Sequence, residues 1–124
     1  PIPNQVVLLL NELKEKNLIG SEYIFHSAQN NPNKHLSRAT PSTYLKEILK
    51  YNGKMTLHGF RTIFSTISHE NIKEHGYESL YIEHCLSHKD KDKTRDSYIN
   101  ELPEIFIDIK REIIQWYADY LDSL

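Results

Sequence analysis

Four side chains in this sequence have types and an order along the chain that could perform chemistry on an anion. They are His58, Arg61, His88 and Tyr98. An arginine offers paired N–H donors to the oxygens of a phosphate, and a histidine can donate one more hydrogen bond or accept a proton. A tyrosine has an ordinary pKa near 10, so it needs a base or a cationic neighbour before it can attack. The spacing shows that such chemistry is physically possible, whereas a histidine and an arginine three residues apart more commonly form the solvated edge of a helix.

The segment around His58 and Arg61 is predicted to be a helix capped by Thr56. Four apolar residues recur at helical spacing as an expected buried stripe, namely Leu57, Phe60, Phe64 and Ile67. A neighbouring polar stripe consists of His58, Arg61, Ser65 and Ser68. His58 and Arg61 should therefore project together from the edge of a packed face.

The rest of the chain is predicted to be mainly α-helical, with at most a short strand near residues 22–26. A first helix should begin at an Asn4 cap and stop near residues 17–20. Thr40 should cap a second helix that ends at Asn52 and Gly53. The apolar face of that second helix should contain Tyr44, Leu45, Ile48 and Leu49.

The C-terminal third of the sequence predicts three further helices. One runs from Ser79 to about Ser87, and a short one carries Tyr98. A long amphipathic helix begins near Ile105 and continues to the end of the chain. Its aromatic stripe, which includes Trp116, requires cover from the same protein or from a neighbouring protomer.

The motifs resemble those of the tyrosine recombinases, a family of phage-type integrases. The segment from His58 to Arg61 resembles the family's His-x-x-Arg box, and Leu86-Ser87-His88 resembles its second histidine box. Tyr98 follows ten residues after His88, where the family has its nucleophile. The tail from Gln115 to Leu121 is similar to the end of phage and genomic-island integrases. This resemblance spans nearly the whole chain.

The resemblance implies a helical catalytic-domain fragment that cuts and rejoins DNA at specific sites. Tyr98 would form a 3′-phosphotyrosyl link, Arg61 and His88 would hold the phosphate, and His58 would assist proton transfer. Side-chain cations supply the electrostatics, so no cofactor or metal is implied. The implied partners are double-stranded DNA and further protomers, which assemble as a tetramer on DNA in this family.

The family's site also contains an upstream arginine on a helix and a lysine on a β-hairpin. Both would precede Pro1, as would the N-terminal DNA-binding domain, so residues 1–124 are expected to be the C-terminal portion of the catalytic domain. The loss of two transition-state donors predicts that this segment alone is inactive or nearly so. A non-catalytic helical module that binds DNA or protein is the alternative.

Several basic residues are candidates for DNA contact, although each could equally be a solvated charge. They are Lys34, Arg38, Lys89 and Arg95. His84, Cys85 and His88 raise the further alternative of a zinc site, which a single cysteine supports poorly. The formal net charge of −2 is unusual for a free-standing DNA binder, but local patches matter more than net charge. The sequence has no signal pattern and no apolar run long enough for a membrane span, which predicts a cytoplasmic protein. The resemblance implies that it is bacterial and acts on chromosomal or phage DNA.

Overall fold

A computed structural model describes residues 1–16, 20–27, 31, 33–87 and 103–124. The predicted fold class is confirmed, because these residues are mainly helical. The described strand content is limited to one isolated antiparallel bridge between His26 and His35. The chain divides into two compact units, Gln5–Phe60 in one, and Pro1–Asn4 with Arg61–Leu124 in the other.

The Gln5–Phe60 unit contains most of helix α1 (Asn4–Glu15) and a short helix α2 (Thr40–Thr43) that continues as a π-helical turn over Tyr44–Ile48. The segment predicted to be extended is held in place by two backbone hydrogen bonds, from Leu36 N–H to Phe25 O and from Ser27 N–H to Lys34 O, each 2.8 Å long. Among the residues of this unit that the structure describes, Leu45 is the buried one. An open apolar cavity of about 1300 Å³ lies beside it.

The second helix differs from its prediction in three ways. Its N-cap is Ala39 rather than Thr40, and no side-chain hydrogen bond caps it, although Pro41 still lies in the first turn. Its helical path ends at Ile48, before the predicted end at Asn52 and Gly53. Of its four predicted apolar positions only Leu45 is buried, whereas Ile48 remains 62% exposed. The π-helical turn explains the change, because its wider spacing moves Ile48 off the face that Leu45 defines.

The unit that contains Arg61–Leu124 is built on a long C-terminal helix. Its elements are α3 (Gly59–Glu70, which begins in the other unit), α4 (Ile72–His75), α5 (Ser79–Cys85) and α6 (Pro103–Asp122). α5 packs along α6. Ile82 and Ile113 have no exposed surface and form the centre of the core.

The buried stripe predicted for α3 is wrong at its first two positions. Leu57 and Phe60 are 42% and 52% exposed, and both line the apolar cavity of the Gln5–Phe60 unit. Ser68, assigned to the polar stripe, is fully buried instead. The reason is the partner helix: Phe64 packs edge to face on Tyr117 of α6, with ring centroids 4.9 Å apart, and Ser68 lies one turn further along the same face.

The described helices include none that is both long enough and apolar enough to span a membrane.

Candidate functional site

The predicted Thr56 cap forms at the start of α3. The Gly59 N–H donates to the Thr56 hydroxyl at 3.1 Å and to the Thr56 carbonyl at 3.0 Å. The capped turn fixes the direction in which the chain enters the helix. His58 lies inside this turn and is exposed, so its ring is open to solvent.

Arg61 lies in the first turn of α3 and is tied to the end of α5. Its guanidinium donates to the backbone carbonyl of Leu86. Leu86 is itself anchored, since only 5% of its surface is exposed. The contact therefore brings the arginine of the first motif to the second motif, two residues before His88.

The described part of the second motif ends in an unusual backbone conformation. Ser87 has a φ of 54°, which is in the left-handed region that favours glycine. Its N–H donates to the His84 carbonyl at 3.1 Å, as expected for the residue after the last turn of a helix. The sequence carries no glycine signal here, so this feature was not predicted.

The other predicted site residues divide into two groups. Lys34 directly precedes His35 of the isolated bridge, and Arg38 lies in the loop that follows it. Both side chains are exposed and stay candidates for DNA contact. Four residues lie outside the part of the chain that the structure describes, namely His88, Lys89, Arg95 and Tyr98. Their assembly around the phosphate stays a prediction.

Two of the seven competing tyrosines are poorly suited to act as nucleophiles. A hydrogen bond to the Glu112 carboxylate, together with partial burial, raises the pKa of Tyr77. Burial raises the pKa of Tyr117. Both phenols hold their protons more tightly than a free tyrosine does, which favours a packing role for them.

His84 and Cys85, the two residues of the alternative zinc site that lie on α5, have surroundings unlike those of a metal site. The His84 ring lies against Phe106, with ring centroids 5.5 Å apart. Burial raises the pKa of the Cys85 thiol to about 11, so this thiol is protonated at neutral pH and is a poor metal ligand. Within the described ranges, which omit His88, no cluster of three or more potential ligands could hold a metal ion.

Two histidines that the sequence left without a role have structural ones. His69 donates from Nδ1 to Ser65 O at 2.7 Å, and its Nε2 is hydrogen-bonded to the Ser79 hydroxyl at 2.8 Å, which joins α3 to the start of α5. His75 donates from Nε2 to Ser68 O at 2.8 Å and accepts the Tyr77 N–H at Nδ1 at 3.0 Å. These pairs stabilise the scaffold that carries Arg61 and Leu86.

His75 also belongs to an aromatic cluster beside an open cavity of about 550 Å³ in the Arg61–Leu124 unit. Its ring packs against Trp116, with centroids 4.6 Å apart. The Trp116 indole N–H donates to Glu74 at 3.3 Å. The stripe of aromatic residues on α6 is thus partly covered by residues of the same unit, one of the two sources of cover that the sequence left open.

Comparison with known proteins gives three related integrases. The chain is 34% identical to prophage integrase IntS of Escherichia coli K12 over 123 residues, 99% of the chain. It is 33% identical to the integrase of Shigella phage Sf6 over 99% of the chain, and 30% identical to the integrase of Enterobacteria phage P4 over 98% of the chain. The chain is therefore similar to phage integrases along nearly its whole length.

The matched region is a minor part of each relative. It spans 30% of the IntS and Sf6 integrases and 26% of the P4 integrase. No protein-family profile matches the chain. No solved structure matches it either.

Proposed function

We propose that this segment supplies part of the active site of a tyrosine recombinase, which integrates or excises DNA at specific sites through a 3′-phosphotyrosyl intermediate. The observation that carries the proposal is the hydrogen bond from the Arg61 guanidinium to the Leu86 carbonyl. It joins two motifs that are 25 residues apart in the sequence. Homology to three integrases supports the same role.

In the proposed reaction, the Tyr98 hydroxyl oxygen attacks the phosphorus of a DNA phosphodiester. The new bond joins that oxygen to phosphorus, the bond from phosphorus to the 5′ oxygen breaks, and His58 is the candidate acceptor of the tyrosine proton. The departing 5′ oxygen takes a proton, which the resemblance assigns to the upstream hairpin lysine of the full-length protein, and leaves as a 5′-hydroxyl. Arg61 and His88 hold the non-bridging oxygens as negative charge builds up. A 5′-hydroxyl of another strand then reverses these steps, so the strands are rejoined without an external energy source.

We place the segment in the C-terminal portion of the catalytic domain. The resemblance assigns a further arginine and a lysine to the complete site, and neither is found among residues 1–124 as part of these motifs. The isolated segment is accordingly proposed to be inactive. In the full-length protein the partners would be double-stranded DNA and three further protomers, with Lys34, Arg38, Lys89 and Arg95 as candidate phosphate contacts.

The test uses the full-length protein encoded by the gene that contains this segment. It is mixed with labelled DNA that carries the element's own end and a nick close to the cleavage site, so that religation fails. Denaturing gels should show protein joined covalently to DNA. The adduct should vanish in Tyr98→Phe and persist in Tyr51→Phe, a control at a half-exposed tyrosine.

The other outcomes distinguish the alternatives. An adduct that survives Tyr98→Phe would assign the nucleophile to another tyrosine. Intact DNA binding with no adduct in the wild type would favour the non-catalytic binding module.

A further inference from the structure

The end of α5 carries a feature that the proposed reaction does not by itself require. Ser87 is a non-glycine residue with a φ of 54°. A serine adopts this conformation only at a cost, because its Cβ crowds the following carbonyl. A position that retains such a conformation next to a candidate active site needs an explanation in terms of its neighbours.

The hydrogen bonds at the end of α5 show how the left-handed Ser87 ends the helix. Leu86 is the last residue of the helical path, with its N–H directed to Glu83 O at 3.1 Å, and the Ser87 N–H turns back to His84 O at 3.1 Å. Backbone carbonyls in the last turn of a helix lack the N–H donors that would follow in a longer helix. The Leu86 carbonyl is such a group, and the Arg61 guanidinium is its donor.

We propose that Ser87 is a positioning residue whose left-handed backbone ends α5, so that the Leu86 carbonyl holds the Arg61 guanidinium beside the second histidine motif. The inference rests on the proposed function, because Ser87 acts through Arg61 and not on DNA directly. The buried Leu86 side chain fixes the acceptor end of the contact, and Arg61 is held in the first turn of α3. What matters at position 87 is the backbone conformation, and the hydroxyl group is dispensable.

Two substitutions separate the backbone from the hydroxyl. Ser87→Gly removes the hydroxyl but accepts a positive φ without cost. Ser87→Thr keeps the hydroxyl but its branched Cβ strongly disfavours a positive φ. Ser87→Asn is a second permissive variant, because asparagine enters the left-handed region more readily than other residues with side chains.

The experiment measures the rate of covalent adduct formation by the full-length protein on nicked DNA that carries the element's own end, at saturating DNA. Ser87→Gly and Ser87→Asn should react within about threefold of the wild type, and Ser87→Thr should react about tenfold more slowly, the factor expected for a left-handed penalty. The Kd for the same DNA should stay unchanged in all three. Backbone strain that only destabilised the fold would give the same order of variants, so the route through Arg61 needs a test of its own.

A double substitution tests the route through Arg61. In an Arg61→Ala background the Ser87→Thr change should slow the reaction no further, because the contact that it disturbs is already absent. If the Ser87→Thr protein lost the far-ultraviolet circular dichroism of a folded helical protein, Ser87→Ala would be used in its place. The rate loss in Ser87→Ala should be smaller, but this variant should still react more slowly than Ser87→Gly.

Three results would overturn the inference: Ser87→Thr as fast as the wild type, Ser87→Gly as slow as Ser87→Thr, or an undiminished effect of Ser87→Thr without Arg61. A wild-type protein that forms no adduct would instead overturn the proposed function. The failures of the two proposals are therefore distinguishable.

Discussion

At the scale of single residues, the proposed chemistry depends on the planar fork of Arg61. One of its donors binds the Leu86 carbonyl, which orients the group and leaves the other N–H bonds for an anion. A lysine at the same position would keep the charge but could not hold a carbonyl and a phosphate in the same fixed geometry. The charge alone is therefore insufficient for the proposed role.

Arg61→Lys should slow adduct formation by the full-length protein about 100-fold, the size of effect seen when one fixed donor to a developing oxyanion is lost. Single-turnover assays on nicked DNA measure this rate. The matched control is Arg111→Lys, because Arg111 pairs with Asp108 on the exposed surface of α6 and should leave the rate unchanged. Near-normal rates in Arg61→Lys would remove Arg61 from the site.

Cys85 gives a prediction on pH dependence. Burial raises the pKa of its thiol from 9.0 to about 11, so the folded protein keeps the proton where an unfolded chain would lose it. At pH 8, alkylation by iodoacetamide should be about 100-fold slower in the folded protein than in urea, since the thiolate is the reactive form. Mass spectrometry of the alkylated protein gives both rates.

The raised pKa of Cys85 also makes the free energy of unfolding depend on pH. Because the folded pKa is raised, the contribution of Cys85 is fully present below pH 9.0 and is lost as the pH rises towards about 11. Cys85→Ser, whose hydroxyl does not ionise in this range, should lose less stability over that interval. Equal alkylation rates in the folded and unfolded protein at pH 8 would contradict the assigned burial.

At the scale of elements, the structure separates what local sequence determines from what packing determines. The cap at Thr56 and the existence of α3, α5 and α6 were predictable, because capping residues and helical periodicity act within a few residues. The face that α3 buries was not, because Phe64 and Ser68 are selected by the surface of α6. The left-handed end of α5 was not predictable either, since Ser87 is not a residue type that signals it.

The Thr56 cap is the element that sets the start of α3. Thr56→Ala should cost about 1 kcal/mol of unfolding free energy, because the Gly59 N–H loses its side-chain acceptor. Thr56→Ser should recover most of that loss, since it restores an acceptor at the same place. Urea denaturation followed by circular dichroism measures both, and an Ala variant as stable as the wild type would contradict the cap.

Ile113 of α6 has no exposed surface and lies at the centre of the core. Ile113→Ala should cost about 2–5 kcal/mol, because it removes buried methylene and methyl groups and leaves a cavity. The control lies on the same helix: Ile107 is 47% exposed, and Ile107→Ala should have a much smaller effect. The fluorescence of Trp116, the single tryptophan in the sequence, reports the unfolding of both variants in urea.

At the scale of the whole molecule, the segment corresponds to less than a third of each integrase that it resembles. Its mainly helical character and its relationship to integrases followed from its sequence motifs and are confirmed. His88 and Tyr98 lie outside the described residues, so the complete site stays a prediction. The proposed chemistry therefore has to be tested in the full-length protein on DNA.

The most direct measurement identifies the amino acid that becomes attached to DNA. The adduct formed on nicked DNA is digested with nuclease and trypsin, and the modified peptide is sequenced by mass spectrometry. Cleavage after Arg95 and Lys110 releases a peptide, residues 96–110, in which Tyr98 is the sole tyrosine. We predict a nucleotide remnant on this peptide, attached to Tyr98 through its phosphate. A remnant on any other peptide, or no covalent product from a protein that binds its DNA, would contradict the central claim.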